Sequence, residues 1–239
     1  TKVEGSDKYI PEMCLTEFKV GSNFDDDDNS NKAGTNGVGA AVCTSNCKWM
    51  KIITIDSKRK KMYTQTFNMV PGKIIAEPPV ITNCSKVPMT SIQFRIDFER
   101  FYKKKFSKSI GDIYYNLIRT NALFTSVAFP DLNVKFNSKL IKSKNFKDFC
   151  SLMTDEEIFN TKFNNWDICF VKGRHQHVSL INGIHVQNGG THIKYIIQKL
   201  EEVIKPKIEK ILTKYNTKYK STFITDSFTL NIFAKDPKI

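Results

Sequence analysis

The chain has 239 residues, 40% of them hydrophobic, enough to bury one large core or two smaller ones. Its apolar runs fall well short of the ~18 residues a membrane span needs, and no signal-peptide pattern opens it. The excess of 37 basic over 24 acidic residues, a formal charge of +13, suits a polyanionic partner, nucleic acid first. Enrichment in Lys, Asn and Ile on a merely well-solvated surface would give the same figure. The first residue is not Met, so we expect part of a longer protein. Six cysteines without paired short spacings read as reduced thiols of an intracellular protein rather than as a zinc site or a disulfide framework.

Near the start, Pro11 suits the first turn of a short helix carrying Met13, Cys14, Leu15 and Phe18. A polar segment follows, with Gly21-Ser22-Asn23 and then acidic residues from Asp25 to Asp28. It fails as a calcium loop, because the sixth position counted from Asp25 is Ser30 and the twelfth is Asn36. Next comes Gly34-Thr35-Asn36-Gly37-Val38-Gly39-Ala40-Ala41. Gly34, Gly37 and Gly39 clear one side of a short loop, and Ala40-Ala41-Val42-Cys43 reads as the first turn of a helix. A glycine loop feeding a helix N-terminus offers unpaired N–H groups to phosphate. The stretch matches neither the dinucleotide fingerprint nor the P-loop. A flexible surface loop rich in Gly, Asn and Asp fits the spacing equally well.

Trp49 to Asp56 and Met62 to Phe67 read as a hairpin around the basic turn Lys58 to Lys61. Ser91 to Phe98 alternates as a half-buried strand, and the three strands are expected in one antiparallel sheet. Composition shifts near residue 100, where Arg100 and Lys103 to Lys105 mark an expected domain boundary. Beyond it, the spacing predicts a helix from Ile110 to Phe129, a strand into a turn at Val134 to Asn137, and a short helix from Phe146 to Met153. Trp166 to Val171 and His177 to Ile181 read as strands joined in a hairpin by Lys172-Gly173-Arg174.

After Asn182 to His192, with Thr191 as a helix cap, a strongly amphipathic helix begins. Its stripe holds Ile193, Ile196, Ile197, Leu200, Val203, Ile204, Ile208, Ile211 and Leu212. Its other face is expected to carry Lys194, Lys199, Lys205, Lys207, Lys210 and Lys214, and Pro206 is expected to kink or split the helix. Phe223 to Phe233 reads as a last strand. His175 and His177 lack a carboxylate or cysteine at ligand spacing and read as surface histidines, and His185 and His192 as structural ones. No hydrolytic triad or carboxylate pair stands out.

Two stretches, in order, carry a family resemblance. Gly21-Ser22-Asn23-Phe24-Asp25-Asp26-Asp27 with Gly34-Thr35-Asn36-Gly37-Val38-Gly39-Ala40 resembles the SSNYDDD…GGRNGYGAK segment of type IIA DNA topoisomerases. Val178-Ser179-Leu180-Ile181-Asn182-Gly183-Ile184 with Gly189-Gly190-Thr191-His192 is similar to the family's SFVNSI…GGTHV. The resemblance covers nearly the whole chain and looks closer to the eukaryotic-like enzymes of large DNA viruses and phages than to bacterial gyrase.

The fold class it implies is α/β (α+β), with residues 1–100 as the C-terminal half of a GHKL ATPase sandwich and 101–239 as a ribosomal-protein-like transducer. It implies ATP and Mg²⁺ as cofactors, double-stranded DNA as partner, a homodimer closing through the ATPase gate, and a nuclear or viral-replication-site location. The ATP lid would comprise Ser22, Asn23, Gly34, Thr35, Asn36, Gly37, Val38, Gly39, Ala40 and Ala41. Lys207, Lys210 and Lys214 would face DNA. The family often has Ser at position 21, Arg at 35, Tyr at 38 and Lys at 41, so the lid here lacks its usual side-chain cations.

No catalytic residue is expected within the chain. The helix with the general-base Glu and the Mg-binding Asn, and the Asp-x-Gly-x-Gly adenine site, would precede Thr1. The Gln-Thr-Lys loop would follow Ile239, so the segment alone is not expected to hydrolyse ATP. Two other readings stand beside this one: a non-catalytic DNA clamp of GHKL ancestry, and a mismatch-repair or chaperone ATPase, which the Gly-Gly-Thr-His sequence disfavours.

Overall fold

The computed structural model describes residues 2–3, 5–21, 36–102, 107–143, 145–173, 177–187 and 189–235. Readings of Ser22, Asn23, the acidic run, Gly34, Thr35, Lys103 to Lys105, Arg174 and His175 lie outside these residues. The chain divides into two compact units, Thr1–Gly111 and Asp112–Ile239.

The first unit opens with α1 (Ile10–Thr16), where Pro11 occupies the first turn, and α2 (Gly39–Ser45). Its sheet comprises β1 (Cys47–Asp56), β2 (Lys61–Val70), β3 (Lys73–Ala76), β4 (Val80–Asn83) and β5 (Met89–Ile96), followed by α3 (Phe98–Tyr102). The order is β3-β2-β1-β5, with β4 also on β2, and every pairing is antiparallel. β3 and β4 share one edge of β2, and Pro78-Pro79 separates them because proline has no N–H for the ladder. Gln65 bridges the gap: its amide donates to the Glu77 carbonyl (2.9 Å) and to the Glu12 carboxylate (2.9 Å), and it accepts the Tyr63 hydroxyl.

The core of this unit is Cys47, Met50, Ile52, Tyr63 and Phe67 on one sheet face, with Leu15 from α1. Register places Phe94 opposite Met50 and Ile92 opposite Ile52, so both extend that apolar face. Each is nonetheless 49% exposed. The half-burial expected of this strand is therefore corrected. It is an edge strand whose apolar side is only partly covered.

The second unit contains α4 (Lys108–Ala128), a small hairpin of β6 (Lys135–Phe136) and β7 (Lys139–Leu140), and α5 (Phe146–Ser151). Then come β8 (Ile158–Phe163), β9 (Trp166–Lys172), β10 (Ser179–Ile181), β11 (Ile184–His185), α6 (Thr191–Thr213), α7 (Thr222–Ser227) and β12 (Phe228–Ala234). The sheet order is β11-β10-β12-β9-β8. One face packs on Phe124 and Val127 of α4 and on Phe146, Phe149 and Cys150 of α5. The other carries Leu230, Ile232 and Ala234 against Ile193, Ile196 and Ile197 of α6. Alternation along β9 and β12 supplies both layers.

Four expectations need correction here. β9 and β10 do not form a hairpin, because β12 lies between them, antiparallel to β9 and parallel to β10. Buried Asn231 fixes that insertion by accepting the Val178 N–H at 2.7 Å, while Ile232 N–H donates to the Val178 carbonyl at 2.9 Å. The final strand begins only at Phe228, since residues 222–227 form α7 and bury Ile224; tertiary packing overrides their β-branched composition. α6 runs through Pro206 without splitting. Pro206 and Glu202, whose carbonyl loses its donor, are both exposed, so water can serve that carbonyl. The N-cap of α6 is Gly190, and Thr191 is its first helical residue.

A glycine is required at that cap, because a Cβ on residue 190 would lie 2.5 Å from the His192 ring. That ring is buried and its Nε2 sits 2.6 Å from Ser179 Oγ, joining the first turn of α6 to β10. His185 packs its ring 5.0 Å from Phe124. Both imidazoles are held below their ordinary pKa by burial, which disfavours the charged form.

A pH dependence follows from these two histidines. In the unfolded chain the imidazoles protonate near pH 6.5, before the folded ones do, so stability is complete above about pH 6.5 and falls as pH drops through the folded values. Urea unfolding of the second unit should show a lower midpoint at about pH 5.5 than at about pH 7.5, and His192→Gln should shrink the difference. An unchanged difference in the variant would contradict the assignment to His192.

Candidate nucleotide lid and basic helix face

The segment that leads into α2 is fastened at its base. Val20 N–H donates to the Gly37 carbonyl at 3.1 Å. Gly37 has φ +59°, in the left-handed region, and a Cβ there would lie 2.7 Å from both Val20 N and Val20 O. Glycine is needed on both counts. The bond joins the residue before position 21 to the residues that enter α2.

Past the staple, Asn36, Val38, Gly39 and Ala40 are exposed. Val38 is the N-cap of α2 and makes no side-chain cap bond, while its carbonyl accepts Val42 N–H at 3.0 Å. Helix geometry leaves the N–H groups of Gly39, Ala40 and Ala41 without intrahelical acceptors. A Cβ on Gly39 would meet no atom within 4 Å, so a bulky group can approach the backbone there. Ala41 differs from the rest: it is 1% exposed and its methyl packs inward, leaving no side-chain surface for a ligand. Thr44, one turn on, is buried and donates to the Ala40 carbonyl (3.0 Å), anchoring α2 above Met50.

The basic residues of α6 sort by helical angle. Lys207, Lys210 and Lys214 follow i, i+3, i+7 spacing along one exposed strip, and Glu201, Glu202 and Glu209 occupy the opposite side. Lys194 and Lys205 fall on the acidic side, so the lysines do not share one face. Lys199 pairs with Glu202 at 2.8 Å, and Lys205 lies 5.5 Å from the centre of the Tyr219 ring. Among the described residues no salt bridge engages Lys207, Lys210 or Lys214. His177, just before β10, bonds through its side-chain Nδ1 with the Leu230 carbonyl of β12 (3.0 Å).

The two described loop glycines should respond in opposite ways. Gly37→Ala combines a left-handed φ with a backbone clash and should destabilise the first unit by about 1–3 kcal/mol or more. Gly39→Ala should leave stability within about 0.5 kcal/mol or raise it slightly, because alanine is the better helix former and the space is open. Denaturant midpoints of the two variants test this, and equal effects would contradict the staple.

No family model matches the chain. The DNA topoisomerase 2 of Saccharomyces cerevisiae is 28% identical over 238 residues, covering 88% of this chain and 16% of that enzyme. The Pisum sativum enzyme is 29% identical over 224 residues, covering 88% of this chain and 15% of its own length. The chain thus spans about one-sixth of the curated relatives it matches. Among solved structures, the ATPase region of Saccharomyces cerevisiae topoisomerase II superposes with TM-score 0.79 at 30% identity, over 95% of this chain and 58% of that one. The ATPase and transducer domains of Balamuthia mandrillaris DNA topoisomerase II superpose with TM-score 0.83 at 25% identity, over 98% and 60%. In sequence and in fold, the chain is a homologue of type II DNA topoisomerases, matching a fragment of their GHKL ATPase and transducer region.

Proposed function

We propose that the chain is the lid and transducer part of an ATP-dependent type II DNA topoisomerase, which passes one duplex through a transient break in another. The observation that carries this reading is the match of 95% of the chain to a topoisomerase II ATPase region. In this reading residues 1–100 end the ATP-binding domain and 101–239 form the transducer, although the compact units divide after Gly111. The half-exposed Ile92 and Phe94 fit this reading, because that apolar face has room for packing from the rest of such a domain. The longer protein would work as a homodimer closing at the ATPase gate, in a nucleus or at a viral replication site.

The described lid residues suit a triphosphate. Gly39 leaves open space at the backbone, and Gly39 and Ala40 are exposed residues of a first helical turn, whose N–H groups have no intrahelical acceptor and could donate to phosphate oxygens. Asn36 and Val38 flank that cradle, and Gly37 holds its base. By resemblance Ser22, Asn23, Gly34 and Thr35 complete the lid, while Ala41 acts through packing. ATP with Mg²⁺, when bound, supplies the phosphoryl group whose hydrolysis drives the cycle. Its metal ligands and the general base are assigned to segments beyond this chain. Lys207, Lys210 and Lys214 would meet DNA phosphates, each adding little alone and more together through counterion release.

One observation favours a non-catalytic DNA clamp instead. Thr35 and Ala41 stand where the family often has Arg and Lys, so the lid offers backbone donors without side-chain cations.

DNA-stimulated ATP hydrolysis by the longer protein decides between these readings. We expect hydrolysis that DNA accelerates, reduced roughly ten-fold by Gly39→Ala as the added methyl crowds the phosphate. Replacing Lys207, Lys210 and Lys214 together by Gln should lower the slope of log affinity against log salt by about 2–3. DNA binding without any hydrolysis would overturn the enzyme reading in favour of the clamp.

A further inference from the structure

The second unit contains a cavity of about 680 Å³, walled by α4, the β6–β7 hairpin with the residues after it, and α5. Such a volume suits a small organic ligand rather than a single ion. Arg119, Lys139 and Lys142 line it. Among the described residues none of the three takes part in a salt bridge. The one carboxylate on the wall, Asp148, is engaged at the start of α5, where it accepts from the Asn145 amide. Three cations against one occupied carboxylate leave the wall electropositive.

The rest of the lining is apolar and aromatic. Tyr115 and Phe136 meet edge to face, their ring centres 5.0 Å apart, and both border the cavity. Tyr115 is half exposed, so a flat ring can be taken up beside it.

We propose that this cavity binds a small aromatic anion: a planar ring against Tyr115 and Phe136, with a phosphate or carboxylate held by Arg119, Lys139 and Lys142. The site belongs to the second unit alone. It shares no residue with the lid or with the lysine strip of α6, so it stands apart from the nucleotide and DNA contacts.

Calorimetric titration of the 239-residue chain with 1-naphthyl phosphate tests this, with the uncharged 1-naphthalenemethanol as comparison. The expected result is saturable binding of the phosphate, weakened about ten-fold or more in Arg119→Gln/Lys142→Gln and in the comparison compound. Both substituted residues are exposed, so the variant should keep its fold, which circular dichroism checks. Lys207→Gln/Lys210→Gln should bind as the parent does, separating the cavity from general attraction to a basic protein. Equal binding by the variant or by the uncharged compound, loss in the Lys207→Gln/Lys210→Gln control, or no saturable binding by the parent would overturn the proposal.

Discussion

The lid region depends on a single backbone contact, the hydrogen bond from Val20 N–H to the Gly37 carbonyl. Its geometry leaves no room for a side chain at position 37. Just past it α2 begins, held down by buried Ala41 and Thr44 while Gly39 and Ala40 stay open. Rigidity and access thus alternate over a few residues. That arrangement suits a loop that must close over a ligand and still start from a defined place. A phosphate contact here would use backbone donors and so would not depend on the Arg and Lys that the family often has at positions 35 and 41.

The second unit rests on buried polar groups as much as on its apolar layers. Asn231 lies within the sheet and takes the Val178 N–H, which seats β10 beside β12. Ser179 and His192 join the start of α6 to β10, and Gly190 is the residue that admits the imidazole. Each bond is satisfied where water is excluded, so losing one partner would leave the other buried and unpaired. The Gly-Gly-Thr-His sequence is therefore legible as a packing requirement: one glycine makes space for a ring that links a helix to a strand. α6 leaves this junction with a basic strip and an acidic strip on separate sides, a form suited to meeting DNA with one of them.

Local signals were legible in the sequence, and non-local ones were not. Pro11 marks α1, alternation marks β1 and β2, and helical spacing marks α4 and α6. Placing β12 between β9 and β10 depends on Asn231 meeting Val178 across a long stretch of chain, which no local pattern encodes. β8 reverses the usual pattern: Phe159 is 73% exposed while Asn160 points inward to Asp167 and Cys169, so hydrophobic periodicity gives no strand there. At the lid, glycine spacing alone fits a flexible loop as well as a phosphate cradle. What spacing does not show is the Val20 contact at Gly37 and the open space at Gly39. The cavity under α4 is gathered from three elements separated in sequence, and its aromatic and basic residues are unremarkable when read along the chain.

Amide hydrogen exchange in the longer protein, with and without a non-hydrolysable ATP analogue, tests the lid assignment most directly. If the start of α2 cradles phosphate, the amides of Gly39 and Ala40 should exchange much more slowly with the analogue bound, while Val20, already bonded to Gly37, should change little. Unchanged exchange at Gly39 and Ala40 under saturating analogue would contradict it.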